Sequence, residues 1–160
     1  MSLHAAVVIS VHLVLAGVGM GLTAIDARTH RLPNRIVLPT LGALIVLLGI
    51  EALAIGQIAA AVRGLLGMLL LGGFYAVLRA VGRSGIGGGD VKLAAVIGLV
   101  LAWHGWTALA VGAASAFVLG AVHVLVLLAL RRATRTTRIA FGPWMIVGAV
   151  LGIAVGGALW

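Results

Sequence analysis

The 160 residues hold only three acids, Asp26, Glu51 and Asp90, so each can be weighed separately as a bearer of chemistry. Asp26 closes a first long apolar run. Asp90 opens a fourth, directly after Gly85-Ile86-Gly87-Gly88-Gly89. Two carboxyls brought close together repel as anions, which raises one apparent pKa and lets the pair share a proton. The ionised member can then take a proton from water while the protonated one donates to a peptide carbonyl. Titration in such a site belongs to the pair rather than to either residue. Glycines beside Asp90 would tolerate unusual backbone angles and let a substrate backbone come near. The plain structural alternative makes Asp90 the N-cap of the helix it precedes. Asp26 would then simply pair with Arg28 or Arg31 in a wet loop. Position and count alone leave both readings open.

The elements that must carry these acids follow from composition. The chain is 63% hydrophobic and 9% charged, against about 45–50% and about 25% in ordinary soluble domains. A chain this short keeps much of its surface exposed, so that surface faces lipid. A helix needs about 20 apolar residues to cross a hydrocarbon core of about 30 Å. Six runs approach this: His4–Ile25, Ile36–Ile55, Ile58–Val81, Val91–Trp106, Thr107–Leu130 and Phe141–Trp160. The fourth is the shortest, making only about 24 Å of helix. Two-residue alternation is absent, which argues against a β-barrel. The expected fold is an all-α, polytopic membrane bundle of about six helices, forming a single domain over residues 1–160. Met1-Ser2-Leu3-His4 lacks the cationic start of a secretory signal, so the first run is expected to be a retained span.

Depth follows from charge. Ten of the eleven Lys and Arg residues lie in three connections on one side: after run one, between runs three and four, and after run five. The positive-inside rule makes that side cytoplasmic, with both termini outside. Asp26 and Asp90 then sit level at the cytoplasmic face, and ionisable groups at membrane depth are functional candidates by default. Trp103, Trp106 and Trp160 fall at outer helix ends, where interfacial aromatics collect. Gly148, Gly152 and Gly156, like Gly112, Ala116 and Gly120, recur every fourth residue and are expected to let helix backbones approach closely.

The wording around the acids adds a resemblance. Asp26-Ala-Arg-Thr-His-Arg-Leu-Pro-Asn-Arg resembles the first-aspartate motif of the type IV prepilin peptidases, with its following Pro-Asn pair. Gly87-Gly-Gly-Asp90-Val-Lys92-Leu is similar to their Gly-x-Gly-Asp motif and trailing Lys. Ile139-Ala-Phe-Gly-Pro-Trp resembles their Pro-Phe-Gly-Pro segment, with Ala140 where many members have proline. The three occur in the family's order and span essentially the whole chain. The resemblance implies an aspartic endopeptidase of the cell membrane that cuts basic leaders from prepilins or pseudopilins at the cytoplasmic face. Asp26 and Asp90 match its catalytic pair. Gly87 and Gly89 match the motif glycines and, with Lys92, are the expected substrate-binding residues. The larger members also methylate the new N-terminus and carry an N-terminal domain with paired cysteines. This chain has no cysteine, so the expectation is the short, peptidase-only form that serves tight-adherence pili.

Other residues suggest less. Lys92 could equally be a topology-setting cation. His30 reads as a solvated loop residue, and His12, His104 and His123 do not converge with it, so neither a metal nor a cofactor is expected. Glu51 and Arg63 flank an outer loop, where an ion pair or snorkelling suffices. The cations line loops between apolar runs rather than one face of a soluble fold, so no nucleic-acid partner is expected. The expected partners are lipid and the prepilin substrate. Two other readings are an ion-coupled transporter, which would want mid-membrane carboxylates and internal repeats, and a non-catalytic assembly partner. The acids sit at helix ends and the motif residues are intact, which favours the peptidase.

Overall fold

Every apolar run that falls among the described residues forms a helix. The structure is a computed structural model and describes residues 17, 34–81, 87–131 and 141–157. Five helices result among them: α1 (Asn34–Ile55), α2 (Ile58–Val81), α3 (Gly88–His104), α4 (Trp106–Ala129) and α5 (Gly142–Gly157). The expected bounds of α2 are met at both ends; those of α3 and α4 move by one to three residues. The first expected span, with Asp26, lies outside the described residues, as do Arg28, His30, Arg31 and Trp160.

Three of the helices, α1 from Arg35, α2 and α4, are long and apolar enough to cross a membrane. At 1.5 Å per residue the 24 residues of α2 and of α4 reach about 36 Å, beyond a core of about 30 Å. Their outward faces are bare hydrocarbon: Leu53 on α1, Leu69 and Val77 on α2, and Val118 and Leu125 on α4 are all exposed. Water would penalise that surface, whereas lipid does not.

The short run behaves differently. α3 is apolar on every side, and Leu93, Ala94, Val96, Ile97 and all of Gly98–Trp103 are buried. A helix apolar all round is a buried helix. α3 is the axis of the bundle, packing against α1, α2, α4 and α5, and about 26 Å suffices for a helix sheathed by protein.

Close approach is made by small residues. Gly67 and Gly98 face each other across α2 and α3, each standing where a Cβ on the other would meet backbone, and Gly72 lies against Ala95. Between α4 and α5 the two expected stripes meet one another: Gly148 rests on Gly112 and Ala116, and Gly152 and Gly156 rest on Ala108. Without a hydrophobic drive between helices in lipid, this backbone contact supplies the van der Waals cohesion. α3 and α4 join through Gly105 alone, whose φ of 144° no side-chain-bearing residue adopts comfortably. Gly56, at φ 71°, turns α1 into α2 in the same way.

At the far end from Asp90, Arg63 on α2 reaches the end of the central helix. Its Nε donates to Ala102 O at 2.6 Å and its Nη2 to Trp103 O at 2.7 Å. These are carbonyls in the last turn of α3, which have no partner within the helix, and a cation there also complements the helix dipole. Glu51 is 2% exposed, so it does not snorkel to an interface. Trp103 is buried against α2 while Trp106 is 48% exposed, so of these two only Trp106 fits an interfacial anchor.

Candidate active site

Asp90 sits in the first turn of the central helix. Gly87 is the N-cap, with extended φ −70° and ψ 152°, and Asp90 is the third residue of the helix. The carboxylate reaches back, and its Oδ2 accepts the Gly87 N–H at 3.0 Å. This differs from the expected N-cap role. Asp90 makes the return half of a capping box, and Gly87 has no side chain to make the other half. An acid in the first turn is also favoured by the positive end of the helix dipole.

The glycines serve space rather than backbone freedom here. Any residue can adopt the Gly87 conformation, but a Cβ on it would stand 3.3 Å from Asp90 Oδ2 and crowd the carboxylate. A Cβ on Gly88 would run into the guanidinium of Arg79, so Arg79 lies over the opening turn of α3. Gly89, Asp90 and Lys92 are all half-buried in the same stretch. Asp90 thus stands against a glycine edge, with Arg79 of α2 lying over Gly88 two residues before it.

An aromatic cluster lies at the same level. α2 and α3 run antiparallel, with Gly72 against Ala95 and Arg79 against Gly88, which brings Tyr75 level with the first turns of α3. Tyr75 is 2% exposed. Its ring packs on Phe117 of α4 at 5.6 Å and on Phe141 at 6.1 Å, with Phe117 and Phe141 5.4 Å apart. Phe141 belongs to the third sequence motif and fits over Gly120, where a Cβ would be 2.6 Å from its ring. The second and third motifs are therefore neighbours in space through Tyr75. From the sequence, Arg79 is one of the topology-setting cations and Tyr75 has no assigned role. The available signal was that Tyr75 is the chain's one tyrosine, set in an otherwise apolar run.

The central helix of this bundle of apolar helices opens on Gly87-Gly88-Gly89-Asp90. Residues 13–130 match the type IV leader peptidase family, and the chain belongs to that family, whose members are membrane-bound aspartic-type endopeptidases. It is 35% identical over 147 residues to the prepilin leader peptidase/N-methyltransferase of Pectobacterium carotovorum, covering 91% of this chain and 51% of that protein. The protein of the same description from Dickeya chrysanthemi is 35% identical over 141 residues, 87% of this chain and 48% of its own. That of Pseudomonas aeruginosa is 32% identical over 133 residues, 80% and 43%. The chain thus spans about half the length of these relatives. No solved structure matches it.

Proposed function

We propose that this chain is a leader peptidase of the cell membrane that cuts prepilin-like proteins of the tight-adherence type at the cytoplasmic face. The observation that carries the reading is the Asp90 carboxylate, held beside a glycine edge at the mouth of the central helix, in a chain that belongs to the leader peptidase family. Asp26 is the second carboxyl of the proposed pair. One member accepts a proton from water as the oxygen attacks the carbonyl carbon of the scissile peptide, and the other donates to the carbonyl oxygen. The tetrahedral adduct collapses as a proton passes to the leaving nitrogen. Gly87, Gly89 and Lys92 form the edge along which the substrate backbone lies. Leader cleavage without methyl transfer is the activity proposed for these 160 residues, which hold none of the cysteines that the methylating forms pair. The proposed topology has six spans, both termini outside and the cationic connections in the cytoplasm, where an anionic lipid surface also attracts them.

The chain contains no cysteine, so single cysteines report topology cleanly. Gln57→Cys should react with a membrane-impermeant maleimide from outside, and Ser84→Cys only after the cytoplasmic face is opened. In the same liposomes, a peptide with a basic leader ending in glycine before an apolar helix should be cut once, at that junction, with or without chelator. Labelling of both cysteines from one face would overturn the topology, and an intact peptide would overturn the activity.

A further inference from the structure

Tyr75 is a polar group that leader cleavage, as described, leaves without a task. A phenylalanine would fill the same place on α2 without a hydroxyl, and burying a hydroxyl is unfavourable unless something uses it. Its ring is fixed by aromatic neighbours from three elements: Phe74 at 5.9 Å on its own helix, Phe117 on α4 and Phe141 ahead of α5. Such pairs prefer tilted or edge-on geometry with centroids about 4.5–7 Å apart, which these satisfy. The contacts Gly72 on Ala95 and Arg79 on Gly88 bracket it, so that along the α2–α3 seam it falls beside the first two turns of α3. Asp90 is in the first of those turns.

We propose that Tyr75 is a positioning residue for the Asp90 carboxylate, held in place by Phe117 and by Phe141 of the third motif. This rests on the reading of Asp90 as one of the catalytic pair. A carboxylate has about four acceptor sites, so it can accept from a phenol as well as from the Gly87 N–H. A phenol O–H is a neutral donor with an ordinary pKa of about 10, so it keeps its proton across the working range and never competes for the one being transferred. The arrangement gives the third motif a role at a distance. Phe141 holds Tyr75, and Tyr75 holds the carboxylate. The other ionisable groups on the surrounding helices, among the described residues at this end, are Arg35, Arg79, Lys92, Arg131 and His123, the last stacked on Trp144 at 4.9 Å.

The test uses the full chain in liposomes with the basic-leader peptide, and measures kcat and KM against pH together with thermal stability. Tyr75→Phe keeps the ring and removes only the hydroxyl. It should lower kcat about tenfold, leave KM within about twofold and leave the melting temperature in place. A lost donor disfavours the ionised form of the pair, so the acid limb of the kcat profile should move to higher pH. Phe141→Leu, which loosens the clamp, should move the limb the same way. Wild-type kcat and limb in Tyr75→Phe would overturn the proposal, and a wild-type profile in Phe141→Leu would overturn the clamp. Loss of the limb in His123→Gln would assign it to the imidazole and overturn the proposal as well. If Asp90→Asn still cleaves, the reading of Asp90 as one of the catalytic pair falls and this inference with it. If Asp90→Asn is inactive and Tyr75→Phe is unchanged, the role of Tyr75 alone falls.

Discussion

Asp90→Asn should lower the rate of leader cleavage by a factor of about a thousand or more, while the protein inserts and accumulates as the wild type does. The substitution separates two roles that both fit the sequence. As half of a capping box, the carboxylate accepts the Gly87 N–H, and the Asn amide oxygen can accept the same bond. What the helix loses is the charge at its positive end, about 0.3–1 kcal/mol. A cap-only role therefore predicts near wild-type turnover and a small change in melting temperature. A role in proton transfer predicts an inactive protein of almost unchanged stability, because an amide can neither take up nor release the proton. Turnover in liposomes beside thermal unfolding in detergent decides between them.

Gly98→Leu should do the opposite, failing in stability before activity is reached. Position 98 lies in the middle of the buried axis, where a Cβ would meet the Gly67 carbonyl and come within 3.0 Å of Leu71 Cβ. Those are mainly backbone obstacles on a facing helix, so relief requires α2 and α3 to separate along their length. Overpacking of this kind costs about 3 kcal/mol or more. Gly73→Leu, at an exposed position on α2, has nothing within 4 Å of its Cβ and is the control. Thermal unfolding in detergent should drop sharply for the first and stay within a few degrees for the second. Equal stability of the two variants would contradict the packing of α2 on α3 described above.

The helices were legible because long apolar runs between cationic connections admit few other readings. The run at Ile58–Val81 became α2 without change. Which helix is the axis was not legible. An apolar sequence looks the same whether its neighbours are side chains or lipid tails, and only the shortness of the fourth run hinted that it is sheathed by protein. The small-residue stripes announced close packing, but not that Gly148 would find Gly112, because spacing on one helix carries no information about its partner. That Arg63 closes the end of α3 could not be read from the sequence, because the contact joins residues about forty positions apart. At the site, Asp90 and its glycines were legible as a motif. Its place as the third residue of the helix, the Arg79 guanidinium over Gly88 and the reach of Phe141 to Tyr75 were not legible. The partner carboxyl, Asp26, lies outside the described residues, so the pair itself stands as a proposal.

The central claim is that Asp26 and Asp90 work as one unit, and a double-mutant cycle on turnover tests it most directly. Groups that act together in one step are grossly non-additive: removing either costs nearly as much as removing both. The account predicts that Asp26→Asn, Asp90→Asn and the double variant, each assayed on the basic-leader peptide in liposomes, fall to the same residual rate within about threefold. An Asp26→Asn variant that keeps a tenth or more of wild-type turnover, or a double variant slower by the product of the two single losses, would contradict it.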